Sequence, residues 1–378
     1  GMNIYGMDNF LYSYLNDAYK DEIVYNKDQI NIGILDIEVE SDSGFPSIEK
    51  ADKAVTAIAL KVGDKIHVFG CGVYENTQSH VHYVKCRDEH DLLSRFITCW
   101  QANDLDIITG WNVEFFDIPY LVNRITRVLG EDAVKRLSPW NMVHDYQVKF
   151  QNKQQNAYDI RGIAVLDYIE LYKKYTYSNQ ESYRLDHICS VEIGEGKTDY
   201  SDYDNLFDLY KRDYQRFIDY NIKDVVLIEK LDNKLNFIDQ ALTIAYDAKI
   251  TYDDIFSPVK TWDVIIHNYL IANKVVIPRG KSGDKYSQFA GAYVKDPKVG
   301  LHDWVVSFDI NSLYPSLIVQ YNISPETYAG KIKHNFTVDQ LLQGSFGDDE
   351  IQDLLKSDNV GITANSCLWD RRDRKSVV

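Results

Sequence analysis

A stripe of mostly apolar side chains recurs at intervals of three and four residues through residues 205–235. This spacing is typical of an amphipathic helix with one face in the core. One position of the stripe is acidic, because Asp224 stands where an apolar residue is expected, one turn after Tyr220. A buried carboxylate is costly unless a cation or hydrogen bonds compensate. We therefore expect Asp224 to bind a metal ion, with the Tyr220 phenol within reach of the same ligand.

The remaining hydrophobic pattern predicts a mixed α/β sheet flanked by helices. A helical period covers residues 89–100 and 119–129, the second with Pro119 in its first turn, where a missing N–H is harmless. Apolar runs bounded by turn residues predict strands at residues 32–39, 57–62, 66–69, 107–109 and 165–168.

The second part of the chain has a different pattern. Residues 237–278 are predicted to be mostly helical, and a Gly/Ser/Lys-rich link at residues 280–285 follows. A further strand is predicted at residues 304–309, and a helix begins near Leu313. The expected buried face of the helical segment consists of Trp262, Ile265, Ile266 and Tyr269.

Composition narrows the possible classes of protein. The 378 residues are enough for two or three domains. The net charge of −16 argues against nucleic-acid binding through bulk positive charge, although local basic grooves remain open. Five cysteines without a CxxC pair indicate reduced thiols in a cytosol-like compartment. No apolar run approaches the roughly 18 residues of a membrane span, so no membrane association is expected.

Two further carboxylates lie on the first predicted strand. Asp36 and Glu38 are two residues apart, so a strand places both on one face, opposite Leu35 and Ile37. Two adjacent anions repel each other, and one keeps its proton unless a divalent cation bridges them. An exposed strand face is the alternative, and the triplet alone is a weak signal.

Asp117 follows another predicted strand and precedes the helix that begins with Pro119. A simple helix N-cap would explain this position equally well.

Taken together, the motifs occur in a specific order. They are a DxE triplet, an NxxxFD segment and a YxxxD segment, represented by Asp36, Glu38, Asn112, Phe116, Asp117, Tyr220 and Asp224. This order resembles the 3′–5′ exonucleases of the DEDD class, in the subgroup with tyrosine in the last motif.

The resemblance implies an RNase H-like fold in which four carboxylates bind two divalent ions, Mg²⁺ or Mn²⁺. Asp36 would bridge both ions, and Glu38, Asp117 and Asp224 would complete the ligand set. Such ions clamp a scissile phosphate and activate water. Tyr220 would orient the attacking water, and Asn112 and Phe116 would contact DNA.

Residues 307–316, with the sequence SFDINSLYPS, form a second signature. This string is similar to the DxxSLYPS motif of family B DNA polymerases. The resemblance implies that Asp309 binds metal in a polymerase palm. It also implies that Ser312, Leu313 and Tyr314 contact the incoming nucleotide. Oriented backbone amides are suited to binding its phosphates.

Two weaker DNA contacts come from the same resemblance. Gly291 lies in a segment, residues 289–294, that resembles a template-contacting region of these enzymes. Phe45 is expected to stack on the frayed primer end.

The resemblance extends over nearly the whole chain. The sequence is similar to the replicative polymerases of T-even-type phages, which act in the host cytoplasm. It implies an α/β fold with an RNase H-like exonuclease domain, a partial polymerase palm and a remnant of the N-terminal domain. The expected boundaries are residues 1–28 for the remnant, 29–237 for the exonuclease domain, 238–280 for a helical segment packing on the remnant, and 281–378 for the incomplete palm.

Several motifs of the family are missing after Asp309, namely the KxxxNSxYG helix and the DTDS turn. We therefore expect a complete exonuclease site but an incomplete polymerase site. The expected partners are single-stranded and primer-template DNA, the remaining polymerase portion and a sliding clamp. Two alternatives stay open, namely one subunit of a naturally split polymerase and a DNA-binding module without catalysis.

Overall fold

The computed structural model describes residues 10–41, 44, 46–150, 153–198, 201–276, 294–332, 357, 359–363 and 365–372. The chain divides into two compact units, Gly1–Asp284 and Lys285–Val378. The finer division at residues 28, 237 and 280 stays a prediction.

A mixed sheet of six strands and a separate hairpin organise the first unit. The strands of this unit are β1 (Ile32–Val39), β2 (Val55–Val62), β3 (Lys65–Gly70), β4 (Val81–Lys85), β5 (Ile107–Thr109), β6 (Val143–Phe150), β7 (Lys153–Ile160) and β8 (Ala164–Val165). The order in the sheet is β4-β3-β2-β1-β5-β8. Strand β1 pairs antiparallel with β2 and parallel with β5, and β5 pairs parallel with β8. The antiparallel hairpin is formed by β6 and β7.

Helices cover both faces of this sheet, which confirms the predicted mixed α/β architecture. Among the described residues, none of the helices combines the length and apolar character that a bilayer-spanning segment requires. The helices of the first unit are α1 (Phe10–Ala18), α2 (Glu89–Ala102), α3 (Ile118–Leu129), α4 (Glu131–Lys135), α5 (Tyr168–Tyr175), α6 (Leu185–Ile193), α7 (Leu206–Arg212), α8 (Tyr214–Leu235), α9 (Phe237–Ala248) and α10 (Pro258–Ala272).

Two hydrophobic cores result, one on each face. The core with α2 and α3 takes Leu35 and Ile37 from β1. The other core takes Ile34 from β1 and the apolar face of α8. Because strand side chains alternate, Asp36 and Glu38 are directed to the face that α8 covers. The alternation of β1 therefore brings both carboxylates to this helix.

Two predicted boundaries in the first unit are wrong. The stretch 205–235 is two helices rather than one, because the Asp213 side chain accepts the Arg216 N–H and caps the start of α8. Tyr168 begins α5 instead of ending a strand, since Asp167 accepts the Ile169 N–H and caps that helix.

The predicted buried face of α10 is also wrong. Trp262, Ile266 and Tyr269 are mostly exposed, and Ile265 is at the border of exposure, whereas Val264 and His267 are buried. Apolar residues lie on several sides of α10, so their spacing does not identify the side that faces the core.

Residues of α1 and of the loop after it contact the segment that follows α8. Tyr25 stacks on Tyr246 of α9, with ring centroids 4.5 Å apart. Tyr12 of α1 donates a hydrogen bond to Asp254, which also pairs with Lys260 of α10 at 2.6 Å. Residues near the start of the chain therefore pack on the helices after α8.

The elements of the second unit are α11 (Leu313–Tyr321), β9 (Tyr328–Lys331), β10 (Val360–Ile362) and β11 (Cys367–Asp370). The three strands form a small antiparallel sheet in the order β10-β11-β9. The helix near Leu313 is as predicted, but the strand at residues 304–309 is not formed. These six residues are exposed and are paired with no strand of the described part of the chain, and an apolar run without a partner strand makes no ladder.

The approach of β5 to β1 depends on the missing side chain of Gly110. A Cβ atom at this position would lie 2.5 Å from the Leu35 carbonyl oxygen and 3.0 Å from the Val113 Cβ. We expect Gly110→Ala to lower the free energy of unfolding by roughly 1–3 kcal/mol, the usual cost of overpacking. Urea denaturation of the purified protein measures this difference.

The matched control is Gly194→Ala, where a Cβ meets no atom within 4 Å but the backbone is left-handed, with φ of +69°. That variant should lose only the left-handed penalty of about 1–2 kcal/mol. Unchanged stability of Gly110→Ala would contradict the close approach.

Candidate metal centre

Three carboxylates converge between β1 and α8. One oxygen atom of each of Asp36, Glu38 and Asp224 lies within 4.8 Å of the other two. Glu38 and Asp224 are buried, and Asp36 is partly buried. The strand supplies two of these groups through its two-residue repeat, and the helix supplies the third from the acidic position in its apolar stripe.

Asp117 joins the site from a different direction. It ends a π-helical turn, Val113–Asp117, that connects β5 to α3. Its Oδ1 accepts the backbone N–H of Ile37 at 3.0 Å, so it lies against β1 between Asp36 and Glu38. The carboxylate makes no side-chain cap to α3, which removes the simple helix-cap explanation. Asp117 lies outside the group of three that share the 4.8 Å distance.

The turn that carries Asp117 is held by Asp167. This fully buried carboxylate accepts the backbone N–H groups of Asn112 and Glu114, each at 3.0 Å. Burial raises the pKa of Asp167 to about 7, against the lowering effect of these hydrogen bonds. Asn112 is exposed with a left-handed φ of 66°, and Phe116 stacks on Tyr120. Both predicted DNA-contact residues of this motif therefore lie on the turn beside the carboxylates.

The carboxylates strongly disfavour one another's ionisation. Burial, with the charge of Asp224, raises the pKa of Asp36 to about 8. Burial and the charge of Asp36 also hold the pKa values of Glu38 and Asp117 well above their ordinary range. Burial raises the pKa of Asp224 as well. Additional positive charge is needed before all four groups can be anionic at neutral pH.

A lysine that the sequence patterns did not indicate supplies part of this charge. Lys197 Nζ lies 2.5 Å from Asp224 Oδ2 and donates to Tyr220 Oη at 3.0 Å. Burial opposes its charge, but Asp224, Tyr220 and Asp36 together raise the pKa of Lys197 above that of ordinary lysine. Lys197 lies in the loop after α6, outside any regular period, and only the chain fold brings it to α8.

Tyr220 lies one turn before Asp224, as the helical spacing predicts. Its ring is buried, and burial together with the nearby Asp224 raises the pKa of the phenol. The hydroxyl therefore stays protonated at neutral pH and can donate a hydrogen bond.

The chemistry of these donors fits divalent cations. Asp224 Oδ1 is buried and has no hydrogen-bond partner among the described atoms, which is costly for a carboxylate oxygen. A bound cation would satisfy it. Hard ions such as Mg²⁺ and Mn²⁺ prefer clustered carboxylate oxygens. Asp36, Glu38 and Asp224 form the single such cluster found in the part of the chain that the structure describes.

The other predicted site residues are placed as follows. Phe45 and Gly291 lie outside the described residues. Asp309, Ser312 and Tyr314 belong to the second unit and are exposed, as is Leu313 at 40%. Ser312 has a left-handed φ of 54° directly before α11. No second carboxylate cluster surrounds Asp309 within the described ranges.

Comparison with known proteins identifies the class to which this fold and site belong. Residues 11–188 match the family described as DNA polymerase family B, exonuclease domain. Residues 260–360 match the one described as DNA polymerase family B. The chain belongs to DNA polymerase family B and contains its exonuclease domain, a domain that uses divalent metals in this family.

Individual relatives agree with this assignment. The DNA-directed DNA polymerase of Escherichia phage RB69 is 38% identical over 360 residues, and that of Enterobacteria phage T4 is 36% identical over the same length. Both alignments cover 88% of this chain and 40% of the relative. The DNA polymerase catalytic subunit of Alcelaphine herpesvirus 1 is 27% identical over 321 residues, 79% of this chain and 30% of the relative. The chain thus spans about two fifths of the length of its phage relatives.

The raised carboxylate pKa values predict an unusual dependence of stability on pH. Without metal, the folded protein keeps protons on Asp36 and Asp167 that the unfolded chain releases near pH 4. The stability that these bound protons give the folded protein is fully present below about pH 4, and it is lost as the pH rises through about 7 to 8. Urea unfolding in EDTA should therefore show falling stability between about pH 5 and about pH 8, by up to about 1.4 kcal/mol per pH unit for each titrating group.

Asp36→Asn is the control, because an amide cannot ionise and the slope should become shallower. Saturating Mn²⁺ should oppose the loss of stability at higher pH, since cations bind the ionised carboxylates. A metal-free profile that rises over this interval would contradict the buried, mutually repelling arrangement.

Proposed function

We propose that this protein removes nucleotides from the 3′ end of single-stranded DNA by hydrolysis with two divalent ions, Mg²⁺ or Mn²⁺. The observation that carries the proposal is the convergence of Asp36, Glu38 and Asp224 within 4.8 Å, in a chain whose residues 11–188 match the family B exonuclease domain. Asp117 adds a fourth carboxylate beside β1. When bound, the ions would neutralise charge on the scissile phosphate and activate water.

The side chains have distinct roles in this proposal. Asp36 would contact both ions, since its carboxylate lies within 4.8 Å of those of Glu38 and Asp224, and Glu38, Asp117 and Asp224 would complete the ligand set. Tyr220 keeps its proton and donates a hydrogen bond that orients the attacking water. Lys197 holds the Tyr220 oxygen and Asp224 in fixed relation through contacts of 3.0 and 2.5 Å.

The substrate approaches along the turn before α3. Asn112 is exposed at the start of this turn, and Phe116 near its end is partly exposed beside Tyr120 and would stack on a base. The net charge of −16 leaves little general attraction for duplex DNA, so contact with DNA is concentrated near the cations. Phe45 is proposed to contact the frayed end.

The second unit is proposed to be part of a polymerase palm. Asp309 would bind metal there, Ser312, Leu313 and Tyr314 would face the nucleotide, and Gly291 would approach the template. Primer extension on primer-template DNA would require the remaining polymerase portion, with a sliding clamp as a further partner. If the gene is from a phage, the place of action is the host cytoplasm.

Removing two ligands should abolish the nuclease. In Asp36→Ala plus Glu38→Ala, digestion of a 5′-labelled single strand should fall by at least the roughly 10²–10³-fold typical of losing one group that stabilises transition-state charge. The measurement is the rate of 3′ shortening on a denaturing gel, with Mg²⁺ and with EDTA.

The matched control removes two exposed carboxylates of the same unit, Asp64→Ala plus Glu131→Ala, and should digest DNA at the normal rate. Digestion that persists in the first variant or in EDTA would overturn the assignment. Calorimetry separates the inert alternative, because a DNA-binding module without catalysis would bind no Mg²⁺ at millimolar concentration. Primer extension gained only on adding a second polypeptide would identify a split polymerase.

A further inference from the structure

Asn221, the residue after Tyr220 on α8, makes the direct hydrogen bonds from this helix to Asp36. Its side chain is fully buried. Its Nδ2 donates to Asp36 Oδ2 at 2.6 Å and also lies 3.4 Å from the backbone carbonyl oxygen of Asp36. The amide therefore links the helix both to the carboxylate and to the main chain of β1.

These two contacts also fix which end of the amide faces Asp36. A backbone carbonyl oxygen can only accept a hydrogen bond, so the group directed at it must be the NH₂ of Asn221. The opposite end, Oδ1, is buried and has no partner among the described atoms. Buried polar atoms are rarely left without a partner in folded proteins. Asn221 thus donates a hydrogen bond to Asp36, while its own Oδ1 accepts none from the described atoms.

An amide is chemically suited to this position. It occupies one oxygen of Asp36 without cancelling the negative charge, whereas the ammonium of Lys197 partly neutralises Asp224. A carboxylate fixed through one oxygen keeps a defined rotamer, and its other oxygen stays available to a cation. Partners of this kind orient metal ligands in many proteins.

We propose that Asn221 is a positioning residue that holds the Asp36 carboxylate in the orientation needed to bind the divalent ions. This inference rests on the proposed metal-dependent nuclease. It assigns to Asn221 no contact with DNA and no proton transfer. Its effect on catalysis acts through Asp36 alone.

The test is the affinity of the whole protein for Mn²⁺, measured by calorimetry on the metal-free form. Asn221→Leu has a similar volume and no donor, and its dissociation constant for Mn²⁺ should rise roughly 10- to 100-fold, as for other partners of metal ligands. Raising the Mn²⁺ concentration should restore much of its nuclease rate, because the chemical groups are unchanged.

Asn221→Ser covers the case in which leucine does not fit. The serine hydroxyl is one bond closer to the backbone than the amide nitrogen and cannot reach Asp36 Oδ2, so this variant should show the same weakening without overpacking. Ser138→Ala is the control, because Ser138 is also buried and donates to a backbone carbonyl, that of Arg161, but touches none of the carboxylates. It should lose stability but bind Mn²⁺ normally.

The outcomes separate the two proposals. Weaker binding in the folded Asn221 variants with normal binding in Ser138→Ala supports the positioning role. Wild-type affinity in either folded variant overturns it and leaves the nuclease assignment in place. A wild-type protein that binds no Mn²⁺ at millimolar concentration overturns the nuclease assignment itself, and the positioning role with it.

Discussion

Repulsion among buried carboxylates is the interaction on which the rest of this structure depends. Asp36, Glu38 and Asp224 face one another between a strand and a helix, with Asp117 against the same strand. Glu38, Asp117 and Asp224 are buried and Asp36 is partly buried, and the charges of Asp36, Asp224 and Asp117 all oppose the ionisation of Glu38. Such a cluster persists in a folded protein because hydrogen-bond donors and cations offset the repulsion. The donors come from three separate segments of the chain, namely Ile37 on β1, Lys197 in the loop after α6 and Asn221 on α8.

The sheet supplies the rigidity that this cluster needs. Strand β1 lies inside the sheet between β2 and β5, so its backbone cannot shift without breaking two ladders. Gly110 allows the chain after β5 to pass the Leu35 carbonyl closely, and Asp167 then holds the following turn by its amide groups. The position of Asp117 thus depends on Gly110 and Asp167, which are not themselves members of the group of three carboxylates.

The sequence predicts the parts of this site that follow a regular period. Alternation along β1 places Asp36 and Glu38 on one face, and the helical repeat places Tyr220 and Asp224 on one side of α8. Lys197 and Asp167 follow no such repeat, because they act from loops whose course is set by tertiary packing. Asn221 lies beside the apolar stripe, but no property of its sequence position indicates a bond to a strand 185 residues earlier.

Hydrophobic periodicity also fails to predict secondary structure where pairing with another strand decides whether a segment forms a strand. Residues 304–309 are apolar enough for a strand but have no neighbouring strand among the described residues. The β6–β7 hairpin is the converse case, since its polar sequence gives little strand signal and its stability depends on cross-strand pairing. On α10, apolar side chains on several sides leave the core-facing side undefined by spacing alone.

Lys197 already supplies one positive charge to Asp224 through Oδ2, while Oδ1 of the same carboxylate has no partner among the described atoms. When Asp36, Glu38 and Asp117 are ionised, their combined negative charge exceeds what one monovalent ion such as K⁺ could offset. A divalent cation would bring twice the charge to the same carboxylates, and this advantage increases as water is excluded. The cluster thus favours divalent over monovalent ions while Lys197 keeps its contact with Asp224.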